Sequence, residues 1–193
     1  MTSLADNHSM SRDELGYTFH ESPVGPLLIA GAGDVLHYIS FPTGHKRMKP
    51  KADWHRDDAI LPEARRQIDA YFAGELAEFD VPLHLGGSDF QNAVWNALLE
   101  IPYAETVSYG EIALRVGEPL SASRAVGTAN GDNHIPIIIP CHRVIGADGS
   151  LTGFGGGLPI KRFLLALERR VRPLPGQQLG LFDNVPGEPS QPQ

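Results

Sequence analysis

The chain changes its punctuation at Gly86-Gly87. Before that point it consists of short β-prone runs, Tyr17-Thr18-Phe19-His20-Glu21, Leu27-Leu28-Ile29-Ala30 and Val35-Leu36-His37-Tyr38-Ile39-Ser40-Phe41. These are divided by Pro23, Gly25-Pro26 and Gly31-Ala32-Gly33-Asp34, and the spacing predicts an antiparallel meander. A polar stretch over 42–58, rich in Lys and His, predicts a long or mobile loop. Pro62 suits the first position of a helix that runs through Tyr71-Phe72 to Gly74, with Ile68, Tyr71 and Phe72 on one face. Residues 81–85 read as a last strand or an extended link. The expected units are an α/β domain over 1–85, a helical domain over 86–172 and a Pro- and Gln-rich tail over 173–193, an α+β class overall.

After Gly87 the signals are helical. Ser88-Asp89-Phe90-Gln91 has capping-box spacing, and Phe90, Val94, Leu98 and Ile101 recur at helical intervals until Pro102. Ser108-Tyr109-Gly110-Glu111 is a second capping box, opening a short helix that Gly117 can end in a left-handed conformation. Residues 121–130 read as another helix. Two short helices joined by a tight Gly/Pro turn predict a helix-turn-helix. Its second member is almost all small residues, with Ala122, Ser123, Ala125, Gly127, Thr128 and Ala129 leaving Arg124 as the single long side chain. Such a helix suits either close packing on a neighbour or entry into a groove behind one projecting arginine.

The 193 residues are enough for one large domain or two small ones. No apolar stretch is long enough to cross a bilayer, and the first twenty residues carry no apolar signal core. A cytoplasmic location is expected. The net charge of -7 is uneven: residues 1–85 carry 8 basic and 13 acidic side chains, residues 86–172 carry 8 of each, and the tail adds 2 acids. Arg124, Arg143, Lys161 and Arg162 are thus available to face phosphates, with modest, salt-sensitive affinity. The eight histidines lack a metal-ligand spacing, and neither a metal nor another cofactor is expected.

The one cysteine lies in Ile137-Ile138-Ile139-Pro140-Cys141-His142-Arg143-Val144. It can form neither an internal disulfide nor a thiolate-rich zinc site. A lone cysteine is often an inert buried hydrophobe. The basic His142 and Arg143 beside it favour a nucleophile or redox thiol instead, since they lower a thiol pKa. Pro136 and Pro140 force their predecessors away from helical geometry, predicting a rigid, buried, strand-like lead into Cys141. Asp148-Gly149 marks a turn, Gly153-Phe154-Gly155-Gly156-Gly157 a flexible or closely approaching loop, and Pro159 the start of a final helix with Ile160, Phe163, Leu164 and Leu167 inward and Glu168 near its end.

In this order the features resemble the O6-alkylguanine-DNA alkyltransferases of the single-cysteine bacterial type. The resemblance rests on Ile139-Pro140-Cys141-His142-Arg143-Val144, Val107-Ser108-Tyr109, Arg124-Ala125-Val126-Gly127, Asn133, and the Gly-rich loop followed by a Leu-rich helix with Glu168. It is densest over residues 88–169, and Tyr71-Phe72-Ala73-Gly74 extends it into the first half. It implies an RNase H-like amino-terminal domain and a winged-helix-like carboxy-terminal one. It also implies irreversible, stoichiometric transfer of an alkyl group from O6-alkylguanine, and from O4-alkylthymine, in double-stranded DNA to Cys141, by a monomer. In that scheme His142 is the base, reached through a water, and Glu168 holds the imidazole. Arg124 and Tyr109 flip the nucleotide, while Ala122, Ser123, Gly127 and Thr128 give groove clearance. Asn133, Val144, Phe154 and Gly155 form the base pocket, with backbone groups near Cys141, Val144 and Gly155 reading the guanine edge.

Three positions depart from the family pattern. His134 stands where proline is common and is expected to loosen the start of the lead to Cys141. Phe154 replaces a tyrosine, so a ring walls the alkyl pocket without a hydroxyl. Gly155 replaces a serine, which leaves a backbone donor alone and widens the pocket toward larger alkyl groups. Two other classes use the same features. A thiol hydrolase would employ Cys141 and His142 with turnover, and a non-catalytic lesion-binding protein of the same fold would lack the reactive cysteine.

Overall fold

The computed structural model describes residues 14–173. The first 13 residues, and all of the expected tail except Pro173, lie outside the described residues. The three predicted runs form β1 (Gly16–His20), β2 (Leu27–Ala32) and β3 (Val35–Ser40), paired antiparallel in the order β3-β2-β1. A strand that periodicity missed, β4 (His55–Arg56), lies parallel to β1. Two residues are too few for a pattern to register; buried Trp54 anchors them from the preceding position. The sheet is therefore mixed at one edge. Residues 81–85 form an extended link, with Leu36 N donating to Pro82 O and His84 N to Leu36 O, both at 2.9 Å.

Helix α1 (Pro62–Ala73) starts at its proline and ends where Gly74, at φ 79°, turns the chain left-handed. Its Ala64, Gln67, Ile68 and Tyr71 are buried. Both capping boxes form. Ser88 caps α2 (Asp89–Leu99) with Gln91 reciprocating, and Ser108 caps α3 (Tyr109–Arg115) with Glu111 reciprocating. Each box satisfies two of the amide donors left open at a helix start. A single 3₁₀ turn at Leu120–Ala122 leads into α4 (Ser123–Gly131), completing the helix-turn-helix. The Trp95 indole of α2 donates to Ala129 O of α4 at 2.8 Å, tying the pair from behind.

Strands β5 (Val107–Ser108) and β6 (Val144–Ile145) pair in parallel, which brings the start of α3 beside the segment after Cys141. The final helix, α5 (Leu158–Val171), buries Ile160, Leu164, Leu165 and Leu167. One continuous cluster of buried side chains runs from Leu27 of β2 through Tyr71, Trp95 and Ile139 to Leu167 of α5. The linker at Gly86-Gly87 divides the chain without dividing this core.

Candidate active site

The segment expected as a strand-like lead is buried but reversed. Ile135, Ile137 and Ile139 are wholly inaccessible, yet Ile137 sits at φ 79° and Ile139 N donates back to Ile135 O at 3.0 Å. Pro136 and Pro140 restrain themselves and their predecessors but leave Ile137 free to turn. A left-handed β-branched residue costs about 1–3 kcal/mol. Asn133 offsets that cost by clamping both ends of the turn: its Nδ2 donates to Ile139 O and its Oδ1 accepts from Ile135 N, each at 2.9 Å. His134 does not loosen this start. Its carbonyl accepts from Ile39 N of β3 at 2.8 Å, and its ring packs against Tyr38 and Trp95.

Cys141, His142 and Arg143 form one 3₁₀ turn, all three buried. At three residues per turn, successive side chains point in different directions. Cys141 faces a cavity, while His142 and Arg143 turn inward to Glu168 of α5. The Glu168 carboxylate accepts from Tyr71 Oη at 2.8 Å, Arg143 Nη2 at 2.9 Å and Arg143 Nε at 2.9 Å. It also accepts from Ala104 N at 3.0 Å and lies 2.8 Å from His142 Nε2. These partners hold its pKa well below the ordinary carboxylate range against the cost of burial. An ionised carboxylate only accepts, so His142 carries its hydrogen on Nε2. The other ring nitrogen, Nδ1, is thereby an acceptor; it is buried and bonds to no described protein group.

Burial pushes the Cys141 thiol up to about 11, outweighing hydrogen bonding by Asn133 and the charge of Lys161. The expectation that His142 and Arg143 depress this pKa is corrected. Burial likewise lowers the His142 pKa below its ordinary value despite Glu168. At rest the pair is a neutral thiol and a neutral imidazole.

Two of the four cations expected to face phosphates are interior. Arg143 is engaged by Glu168, donates from Nη1 to Ile101 O at 2.7 Å, and stacks 5.5 Å from the Tyr103 ring centre. Lys161 donates to Val144 O at 2.6 Å and Thr152 O at 3.2 Å, and burial lowers its pKa to about 8. Sequence periodicity held the signal for Lys161, which shares the apolar stripe of α5 with Leu164 and Leu167. Arg124 and Arg162 are exposed.

Across the helix-turn-helix, Arg124 and Thr128 stand one turn apart on the open face of α4, and Thr128 Oγ1 donates to Arg124 O at 3.2 Å. Ala122 and Ser123 are partly covered, with the Ser123 hydroxyl donating to Leu120 O. Tyr109 lies across Gly127, where a Cβ would meet its ring at 3.7 Å. Its hydroxyl accepts from Thr152 Oγ1 at 2.9 Å, which leaves its own hydrogen to donate.

The cavity beside Cys141 measures about 220 Å³. Asn133, Phe154 and Gly155 line it as expected, joined by Pro136, Asn130 and Gly156. Val144 does not; its side chain is inaccessible, and Tyr109 and Arg124 also lie outside the lining. Gly131, Asp132 and His134 also line the cavity, and sequence reasoning missed the opposite wall, which comes from residues 39–48 of the amino-terminal half.

Residues 15–85 match the ribonuclease-like domain, and residues 89–170 the DNA-binding domain, of 6-O-methylguanine DNA methyltransferase. The chain belongs to this family. The Methanosarcina acetivorans methylated-DNA–protein-cysteine methyltransferase is 55% identical over 152 residues, covering 79% of this chain and 97% of the relative. That of Mycobacterium bovis is 53% identical over 168 residues, covering 86% and 98%. Among solved structures, Mycobacterium tuberculosis OGT in complex with DNA superposes with a TM-score of 0.77 at 53% identity, covering 81% of this chain and 94% of that one. The Pyrococcus kodakaraensis O6-methylguanine-DNA methyltransferase, at 22% identity and a TM-score of 0.54, shares the fold. The methyltransferase match to the DNA-binding domain contains Tyr109, Arg124, Asn133, Cys141, His142 and Glu168. The match to the ribonuclease-like domain contains the 39–48 wall.

Proposed function

We propose that this protein repairs O6-alkylguanine in double-stranded DNA, and O4-alkylthymine by the same chemistry, by moving the alkyl group onto Cys141. The carrying observation is the buried chain Cys141, His142, Glu168: a nucleophile beside a cavity, followed by an imidazole whose second nitrogen is fixed by an ionised carboxylate. His142 Nδ1 takes the thiol proton through a bridging water, and Glu168 and its hydrogen-bond partners stabilise the resulting imidazolium. The thiolate attacks the alkyl carbon. A carbon–sulfur bond forms as the carbon–oxygen bond breaks, and the electron pair leaves on the guanine, which takes up a proton and becomes normal guanine. A thioether has no ready hydrolysis route, so each chain acts once.

The base must leave the duplex to reach a buried thiol, at a cost of about a few kcal/mol. Arg124, alone on a face of small residues, fits the vacated place in the stack, and the smooth surface of Ala122, Ser123, Gly127 and Thr128 fits a groove. Tyr109 has a free hydrogen to give the base. Asn133, Phe154 and Gly155 wall the pocket, while Val144 acts through its backbone. One chain suffices, and no cofactor is required. No helix among the described residues is long and apolar enough to cross a membrane, in keeping with a cytoplasmic role.

The test is to mix the protein with a duplex carrying one O6-methylguanine and to weigh it intact. The expected result is one added methyl group on Cys141, saturating at one equivalent. Repeated turnover, or no mass gain, would overturn the reading.

A further inference from the structure

The cavity beside Cys141 belongs to both halves of the chain. Ile39, Ser40, Phe41, Thr43, Lys46 and Met48 close one side of it. This segment is fastened to the Gly-rich loop opposite, with Lys46 N donating to Gly155 O at 3.2 Å and Thr43 Oγ1 to Gly156 O at 3.3 Å, and to the end of α4, where Lys46 Nζ pairs with Asp132 at 2.8 Å. The Phe41 and Phe154 rings lie 5.5 Å apart across the seam. The fit admits no side chains on the glycines. A Cβ on Gly156 would stand 2.5 Å from the Phe41 ring, and one on Gly44, at φ +92°, 2.1 Å from Gly155 O.

The cavity measures about 220 Å³ and has to hold the flipped base as well as the alkyl group on it. The room left for the alkyl group is therefore set by the side chains on its walls. Met48 is half-buried on its wall, Thr43 stands at its exposed edge, and Gly155 adds no side chain.

We propose that residues 39–48 of the amino-terminal half are a specificity wall for the alkyl group, with Thr43 and Met48 setting the admitted size. The inference rests on the alkyl-transfer reading above. As the alkyl carbon approaches Sγ, the rest of its chain extends into the cavity between Phe154 and the 39–48 segment. A larger side chain at the rim narrows that space, and a smaller one on the wall enlarges it.

The experiment measures single-turnover transfer to Cys141 by intact mass, from duplexes carrying O6-methylguanine or O6-benzylguanine, for wild type, Thr43→Trp and Met48→Ala. The readout is the ratio of benzyl to methyl rate constants. Pocket contacts discriminate by about 10- to 200-fold per methylene, so Thr43→Trp is expected to lower the ratio at least about tenfold and Met48→Ala to raise it. Thr43 is exposed, and a melting temperature close to wild type confirms that its variant is folded before the ratio is compared. A ratio in Thr43→Trp within about twofold of wild type, below that discrimination range, overturns the inference. Wild type that takes up no methyl group at all refutes the alkyl-transfer reading itself, a failure visible before any variant is compared.

Discussion

Arg143 grips Glu168 through two parallel hydrogen bonds, Nε to Oε2 and Nη2 to Oε1, each 2.9 Å, with the arginine side chain 7% exposed and the carboxylate not at all. A residue two positions after Cys141 thus holds the carboxylate that contacts His142. Removing one member of a buried pair strands the other charge and costs about 3–5 kcal/mol. Arg143→Leu is expected to lose that much in urea denaturation. Arg143→Lys, which keeps the charge but not the fork, should fall between Leu and wild type. Equal stability in all three would contradict the arrangement.

The thiol provides a second check. With a pKa of about 11, Cys141 has a thiolate fraction that climbs tenfold per unit of pH well into the alkaline range. Its modification by a small alkylating reagent in the absence of DNA should rise log-linearly from neutrality to about pH 10. A plateau near neutral pH would show that the resting thiol is already ionised.

The proposed role of Arg124 can be tested apart from the chemistry. Arg124→Ala should slow methyl transfer from duplex DNA by about 10- to 100-fold, the equivalent of a lost few-kcal/mol flipping aid. Transfer from the free modified base should change little, because no stack has to be opened. Equal losses on both substrates would place Arg124 in the chemical step.

Acid sensitivity follows from His37 and His134, which lie beside His84. His37 is stacked on His84 at 4.3 Å, and burial, then the charges of His84 and His134, lowers its pKa from 6.5. His134 is lowered chiefly by burial, with His84 and Lys51 adding repulsion and hydrogen bonds to His84 and Asp132 opposing it. The unfolded chain therefore binds protons that the folded one resists. Stability from this site is fully present above pH 6.5 and declines as pH falls toward the folded values. The Tm should drop between pH 7 and 5, less steeply in His134→Gln. Glu168, held ionised, enters only below its ordinary pKa of 4.5.

Local signals translated well into local structure. Ser88 with Gln91, Ser108 with Glu111, and Pro62 with Gly74 name helix ends through side-chain chemistry that needs no tertiary context. Around Cys141 the adjacent residues left an inert and a reactive thiol both open, and the family resemblance chose between them. What stayed hidden depends on distance in space. Nothing near Arg143 in the chain says that it is buried against a carbonyl 42 residues away. The turn at Ile137 was masked because proline geometry constrains neighbours and not the residues between. The 39–48 wall was missed because a polar loop carries no periodicity, and its partner loop lies more than a hundred residues on.

The undivided core has a mechanical consequence. Since Leu27, Tyr71, Trp95, Ile139 and Leu167 pack into one cluster, the halves on either side of Gly86-Gly87 share a single cooperative transition. A protease cut at that link would yield two fragments on a denaturing gel and one particle in solution. Severing the peptide chain would leave the thiol's surroundings intact, because what holds the two halves in register is packing and not the linker.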